Sequence, residues 1–82
     1  MKIRLLYFAA LREALQLETE TLESPADGLT GHELIGLLSL RYPQAAKTLQ
    51  SCTLAQGMEY TSLDQAIQPG VEVALIPPVS GG

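Results

Sequence analysis

The first and last apolar segments of the chain alternate large hydrophobic side chains with other residues. Residues 2–8 read KIRLLYF, in which every second residue from position 3 is large and apolar. This period of two predicts a β-strand with one face on the core, and Leu6 and Phe8 make the opposite face partly apolar. Residues 71–76, VEVALI, alternate in the same way and predict a last strand whose Ile76 faces outward.

Two segments between these strands have the spacing of amphipathic helices. Residues 9–17, AALREALQL, place three apolar side chains on one face with Arg12 and Glu13 outside, which predicts a short helix. Residues 31–41 carry a wider apolar face and predict the main core helix. The apolar faces are Leu11, Ala14 and Leu15 in the first helix, and Leu34, Ile35, Leu37 and Leu38 in the second.

Local signals mark both ends of the main helix. Thr30 is a candidate N-cap, and Glu33 follows at the spacing of a capping box, which satisfies the first free amides of a helix. Pro43 ends the helix, because the residue before a proline avoids the α region.

Shorter strand signals occur in two further segments. Residues 18–24, ETETLES, alternate strand formers with glutamates, which predicts a surface strand. Between Leu49 and Ser62 the pattern is weaker, and we expect two short strands around a turn near residues 56–57 without fixing their bounds. The glutamates expected on the solvated face of the first of these strands are Glu18, Glu20 and Glu23.

This order of elements indicates an α+β domain. The first and last strands are the most apolar, so we expect them to be central neighbours of one sheet. If they pair in parallel across the helical crossover, as handedness rules permit, the fold is a β-grasp: a mixed sheet packed on one main helix with a short additional helix. Periodicity supports the α+β class and leaves this topology open. We expect residues 1–76 to form the domain and residues 77–82 an extended tail.

Composition narrows the classes of partner. The chain has 82 residues, 46% of them hydrophobic and 17% charged, with a net charge of -4, which fits one folded domain. Five basic residues are scattered along it, so we expect no nucleic-acid partner, since phosphate binding needs clustered Lys and Arg. We also expect no membrane span, no metal site and a reducing, cytoplasmic setting.

The chain ends in PPVSGG, a segment with unusual chemistry for a terminus. Pro77 and Pro78 cannot donate to a sheet ladder and hold the backbone extended, so pairing stops there. Gly81 and Gly82 add no width and can adopt backbone angles closed to other residues, so a narrow channel could admit them. The carboxylate of Gly82 would become an acyl donor after adenylation by ATP. An ordinary frayed terminus is the alternative interpretation.

The segments YFAALRE (7–13) and PGVEVALIPPVSGG (69–82), with the chain length, resemble the small, sulfur-carrying subunit of molybdopterin synthase. That family has a ubiquitin-like β-grasp fold. The resemblance implies that an ATP-dependent activating enzyme adenylates Gly82 and that a sulfurtransferase system converts it to a thiocarboxylate. The tail then enters the large synthase subunit, where its sulfur builds the dithiolene of molybdopterin on a cyclic pyranopterin phosphate.

The resemblance also assigns residues to roles, and catalytic side chains belong to the large subunit. No cofactor is bound, and a two-plus-two heterotetramer is implied. Gly82 carries the sulfur, and a partner surface forms beside the tail, although Leu6 and Phe8 could instead pack under the short helix or a loop. The tail that inserts is Pro77, Pro78, Val79, Ser80 and Gly81, and the partner interface is Ile76, Phe8, Leu6 and Arg12.

Other functions remain open from the sequence. A related carrier could deliver sulfur for thiamine or for tRNA thiolation, a ubiquitin-like tag could modify proteins through Gly82, or the domain could be a plain binding module. Cys52 is expected to be a buried structural thiol, since no neighbour in sequence would lower its pKa. His32 is expected to be a solvated side chain in the first turn of the main helix.

Overall fold

The computed structural model describes residues 1–24 and 28–78. In chain order, a strand, a short helix and a second strand are followed by helical segments and then by three further strands. The elements are β1 (Lys2–Tyr7), α1 (Ala9–Leu15), β2 (Thr19–Glu23), α2 (Gly31–Arg41), a 3-10 turn (Pro43–Ala45), α3 (Ala46–Gln50), β3 (Thr53–Gln56), β4 (Glu59–Thr61) and β5 (Glu72–Ile76).

The five strands form one mixed sheet in the order β2-β1-β5-β3-β4. The two central strands, β1 and β5, pair in parallel, with Leu6 opposite Ala74, and the other neighbours pair antiparallel. The first and last segments of the chain are therefore central partners, and the sheet packs one face on α2. The α+β class and the β-grasp arrangement predicted from the element order are confirmed.

Alternation within the strands determines which side chains form the core. Ile3, Leu5 and Tyr7 of β1 are each at most 2% exposed, and Val73 and Leu75 of β5 are fully buried. From α2, Leu34, Ile35 and Leu38 pack into the same cluster, and Leu37 lies partly buried beside it. In α1, Leu11 is buried but Ala14 is exposed, so the predicted apolar face of that helix is narrower than expected.

The start of α2 follows from its capping box. The Thr30 side chain accepts a hydrogen bond from the Glu33 amide at 3.2 Å, and the Glu33 carboxylate accepts one from the Thr30 amide at 3.0 Å. These two bonds satisfy amides that have no partner within the helix. The predicted bounds of α2, from residue 31 to residue 41, are confirmed.

The segment from residue 46 to residue 61 was predicted only in part. The two short strands and their turn are present as β3 and β4, with the turn at Gly57 and Met58. Leu49, the first residue of the segment expected to contain these strands, lies instead in α3, where it is buried. Within residues 1–24 and 28–78, no helix is long and apolar enough to cross a membrane.

Glu20 departs from the expectation of a solvated strand face. Its side chain is 12% exposed and accepts hydrogen bonds from the hydroxyl groups of Tyr7 at 2.6 Å and Tyr42 at 2.7 Å. Arg41 Nη2 lies 3.2 Å from Glu20 Oε2. The prediction for Glu20 was wrong because its partners come from β1 and from the end of α2, which strand alternation does not report. Glu18 and Glu23 are exposed as expected.

Candidate functional site

The face of the sheet that turns away from α2 carries a shallow apolar groove. Its floor follows from the strand register, because Leu6, Ala74, Ala55 and Tyr60 lie opposite one another on four adjacent strands. The two small alanines lie in the middle of this row, between the larger residues. The full lining is Leu6, Phe8, Ala55, Met58, Tyr60, Glu72, Ala74 and Ile76.

The groove has two distinct ends. Phe8 and Ile76 lie at the end from which the chain leaves β5, since Phe8 follows β1 and its amide donates to the Leu75 carbonyl at 3.3 Å. Met58 and Glu72 lie at the opposite end, where the Gly57 amide donates to the Glu72 carbonyl at 3.0 Å. One end is therefore next to the tail, and the other lies at the tip of the hairpin formed by β3 and β4.

Large apolar side chains at the groove are open to solvent. Phe8 is 39% exposed, Tyr60 74% and Met58 98%, whereas Leu6 and Ile76 are half-buried. Single exposed hydrophobic residues are common on protein surfaces, but several that cluster in one depression are typical of a protein-interaction surface. Among the described residues, Leu40 is the other large hydrophobic side chain that is exposed, and it does not line this groove.

The backbone is unusual beside this surface. Ala9, next to Phe8, has a φ of 49°, and Met58 has a φ of 71°. Both values lie in the left-handed region, which residues with a Cβ rarely adopt and which carries a conformational cost. Strained positions therefore occur next to both ends of the groove.

The predicted tail, residues 77–82, follows β5 directly. Pro77 is buried and Pro78 is exposed. The remaining predicted tail residues, Val79, Ser80, Gly81 and Gly82, lie outside the described residues. The four residues from 79 to 82 can span at most about 14 Å.

The described part of the chain offers no competing reactive group at this surface. Cys52 is 4% exposed, its Sγ donates to the Thr48 carbonyl at 3.3 Å, and burial raises the pKa of its thiol to about 11. A thiol in this state is a poor nucleophile at neutral pH, and the prediction of a buried structural cysteine is confirmed.

His32 is exposed as expected, with Nε2 lying 3.3 Å from Asp64 Oδ1. Residues 1–24 and 28–78 contain no group of His, Cys, Asp and Glu that could hold a metal ion.

Three of the four predicted interface residues lie together. Leu6, Phe8 and Ile76 line the groove, so Leu6 and Phe8 do not pack under the short helix or a loop. Arg12 is exposed on α1 and does not line it, so its role stays a prediction. Sequence reasoning missed Met58 and Tyr60. Their signal was a large apolar residue in a hairpin turn, followed two positions later by an aromatic residue.

Comparison with known proteins identifies the family. A family model described as the ThiS family matches residues 5–82. The chain belongs to the ThiS family. Curated relatives in this comparison are 34 to 40% identical over at least 93% of the chain, and they carry the name molybdopterin synthase sulfur carrier subunit. One relative, from Dictyostelium discoideum, is 39% identical and is matched over 99% of this chain and 96% of its own length.

Solved structures share the fold of this chain. The putative molybdopterin converting factor subunit 1 of Pyrococcus furiosus superposes with a TM-score of 0.81 at 24% identity, covering 96% of this chain and 99% of that one. A complex of subunits 1 and 2 of the molybdopterin-converting factor from Helicobacter pylori contains a chain that matches with a TM-score of 0.67 at 20% identity. The match covers 100% of the present chain and 100% of that chain. The predicted ubiquitin-like β-grasp fold is thereby confirmed.

Proposed function

We propose that this chain is the sulfur-carrier subunit of a molybdopterin synthase. One observation carries the proposal: curated relatives with that name match the chain along nearly its whole length at 34 to 40% identity. The geometry supports it, because the apolar groove lies beside the point where the tail leaves the domain. A carrier needs both features: a surface on which partners dock and an end that reaches their active sites.

In the proposed cycle, the Gly82 carboxylate is the only group of this chain that changes covalently. The carboxylate attacks the α-phosphate of ATP on an adenylating enzyme and releases pyrophosphate. A sulfurtransferase system then supplies a sulfur nucleophile that displaces AMP and leaves a thiocarboxylate. ATP belongs to the activating enzyme, so the chain itself needs no bound cofactor.

The large synthase subunit is the proposed acceptor of the charged tail. There the terminal sulfur passes to a cyclic pyranopterin phosphate, and an oxygen atom takes its place and restores the Gly82 carboxylate. Two such transfers build the molybdopterin dithiolene, with catalytic side chains provided by the large subunit. The structure of the Helicobacter pylori complex, in which a chain with this fold is bound to subunit 2, supports such a partner. We further propose a two-plus-two assembly in which the groove contacts the large subunit.

The experiment that tests this function is the intact mass of the full chain co-expressed with an adenylating enzyme and a sulfur source. We expect a gain equal to the replacement of one oxygen by sulfur, and fragment ions should place it on Gly82. A chain that lacks Gly82 is the matched control and should gain nothing there. An unchanged terminus, or sulfur found on Cys52 instead, would contradict the proposal.

The same preparations separate the proposed carrier from a protein modifier. A modifier would appear as this chain joined through Gly82 to lysine side chains of other proteins. A carrier for thiamine or tRNA would acquire the thiocarboxylate but would fail to form molybdopterin when mixed with the large subunit and the cyclic precursor. Formation of the dithiolene in that mixture is therefore the second expected result.

A further inference from the structure

Met58 has an exposed side chain that contributes little to the stability of this domain. It is 98% exposed, so burial of its side chain provides almost no hydrophobic stabilisation to the folded chain. It lies at the tip of the β3–β4 hairpin and lines the groove at the end opposite Phe8. A long apolar side chain therefore lies in solvent beside an apolar surface.

The backbone at this position also disfavours methionine. Gly57 and Met58 have φ values of 56° and 71°, the combination of a two-residue type I′ hairpin turn. The favoured residues in such turns are glycine, asparagine and aspartate, because both central positions need a positive φ. Methionine therefore destabilises the turn relative to glycine and gains no packing in return. A methionine at this position therefore points to a role outside the fold.

The location of Met58 indicates what it contacts. Strand β5 connects the two ends of the groove, from Glu72 to Ile76, a distance of about 13 Å at the usual rise per residue. The chain continues for four residues beyond Pro78, which can span at most about 14 Å, so a protein that receives Gly82 must be positioned beside Ile76. A standard-sized protein interface buries about 800 Å² on each partner. An interface of that size that begins at Ile76 and covers the groove extends to the hairpin tip, where Met58 lies.

We propose that Met58 is a binding contact for the protein that receives the tail, and that this partner presents an apolar pocket for the methionine side chain. The inference rests on the proposed function, in which that partner is the large synthase subunit. Methionine suits this task because its unbranched, polarizable side chain adapts to apolar pockets. Met58 destabilises the turn in the free domain, and its contact with the partner stabilises the complex.

The test uses a variant that should keep or raise the thermal stability of the domain while weakening its binding to the partner. Met58→Gly relieves the left-handed strain, so we expect an unchanged or higher Tm. The same change should raise the Kd for the cognate large subunit by about 5-fold or more, measured by titration calorimetry with the full chain. Met58→Asn, which tolerates a positive φ and is polar, should give the same pattern. Leu40→Ala is the control, since Leu40 is 83% exposed and lies away from the groove.

The possible results separate this inference from the proposed function. Suppose that the unmodified chain binds the large subunit, Ile76→Asp abolishes binding, and both Met58 variants bind with unchanged affinity. The role of Met58 would then be overturned while the proposed function stands. A lower Tm together with unchanged affinity would assign Met58 to the fold and overturn the inference in the same way. Failure of the unmodified chain to bind the large subunit would overturn both.

Discussion

Glu20 shows how a single side chain can connect parts of the chain that are distant in sequence. It lies on the edge strand β2, yet its carboxylate accepts hydrogen bonds from Tyr7 on β1 and from Tyr42 at the end of α2. Desolvation is the main reason that the pKa of each tyrosine is raised, and the hydrogen bond to Glu20 adds to it. Both hydroxyls therefore remain donors at neutral pH, and the cluster links the sheet to the end of the main helix.

Replacing Glu20 tests this connection. Glu20→Gln keeps the size of the side chain but removes the charge that pairs with Arg41, and an amide accepts fewer of the hydroxyl hydrogen bonds. We expect the free energy of unfolding to fall by about 1 to 3 kcal/mol, measured by urea denaturation. The matched control is Glu18→Gln, an exposed change that should stay within about 0.5 kcal/mol. Equal stability of the two variants would contradict a structural role for the cluster.

Element by element, the predictions succeeded where the signals were local. The bounds of α2 follow from a capping box and a proline, both of which act within a few residues of the helix ends. Helix α3 was missed because it has five residues, no side-chain cap and only one buried residue, Leu49. Such a short helix is stabilised by contacts with the rest of the domain and not by its own sequence.

Two glycines of α2 test how closely this helix packs. A Cβ on Gly31 would lie 2.8 Å from Leu54 Cδ1 and 3.0 Å from Leu63 Cα, whereas one on Gly36 would meet nothing within 4 Å. Gly31→Ala should therefore destabilise the domain by about 1 to 3 kcal/mol through overpacking. Gly36→Ala should stabilise it by up to about 1 kcal/mol, because alanine is the better helix former. Thermal unfolding of both variants gives the comparison, and a stabilising Gly31→Ala would show that α2 can shift.

At the scale of the whole molecule, the parallel pairing of β1 with β5 creates the candidate site. It places Phe8 and Ile76, which are distant in sequence, at one end of the groove, and the prediction of central neighbours anticipated this. Strand alternation also identified Leu6 as an outward residue. The sequence did not reveal Met58 and Tyr60 as groove residues, because their place depends on the register of a hairpin whose bounds the pattern left open. The sequence pattern predicted which segments are strands, but it did not predict the register in which β3 pairs with β4.

This architecture predicts that the fold and the chemistry can be separated at the end of β5. The last strand ends at Ile76, and Pro77 has no amide to extend the ladder. A chain that stops at Pro78 should keep its Tm, because the described core lies within the retained residues. It should still bind the large subunit, with lower affinity, through the groove, and it should form no thiocarboxylate.

The reciprocal variant completes the comparison. Ile76→Asp keeps the tail and places a charge at the tail end of the groove, so it should lose affinity for the large subunit. Calorimetry, thermal unfolding and intact mass measured on both variants distinguish docking from chemistry. If the shortened chain lost several degrees in Tm, the last four residues would belong to the folded domain. If it bound as tightly as the full chain, tail insertion would contribute nothing to docking, and the groove alone would determine affinity.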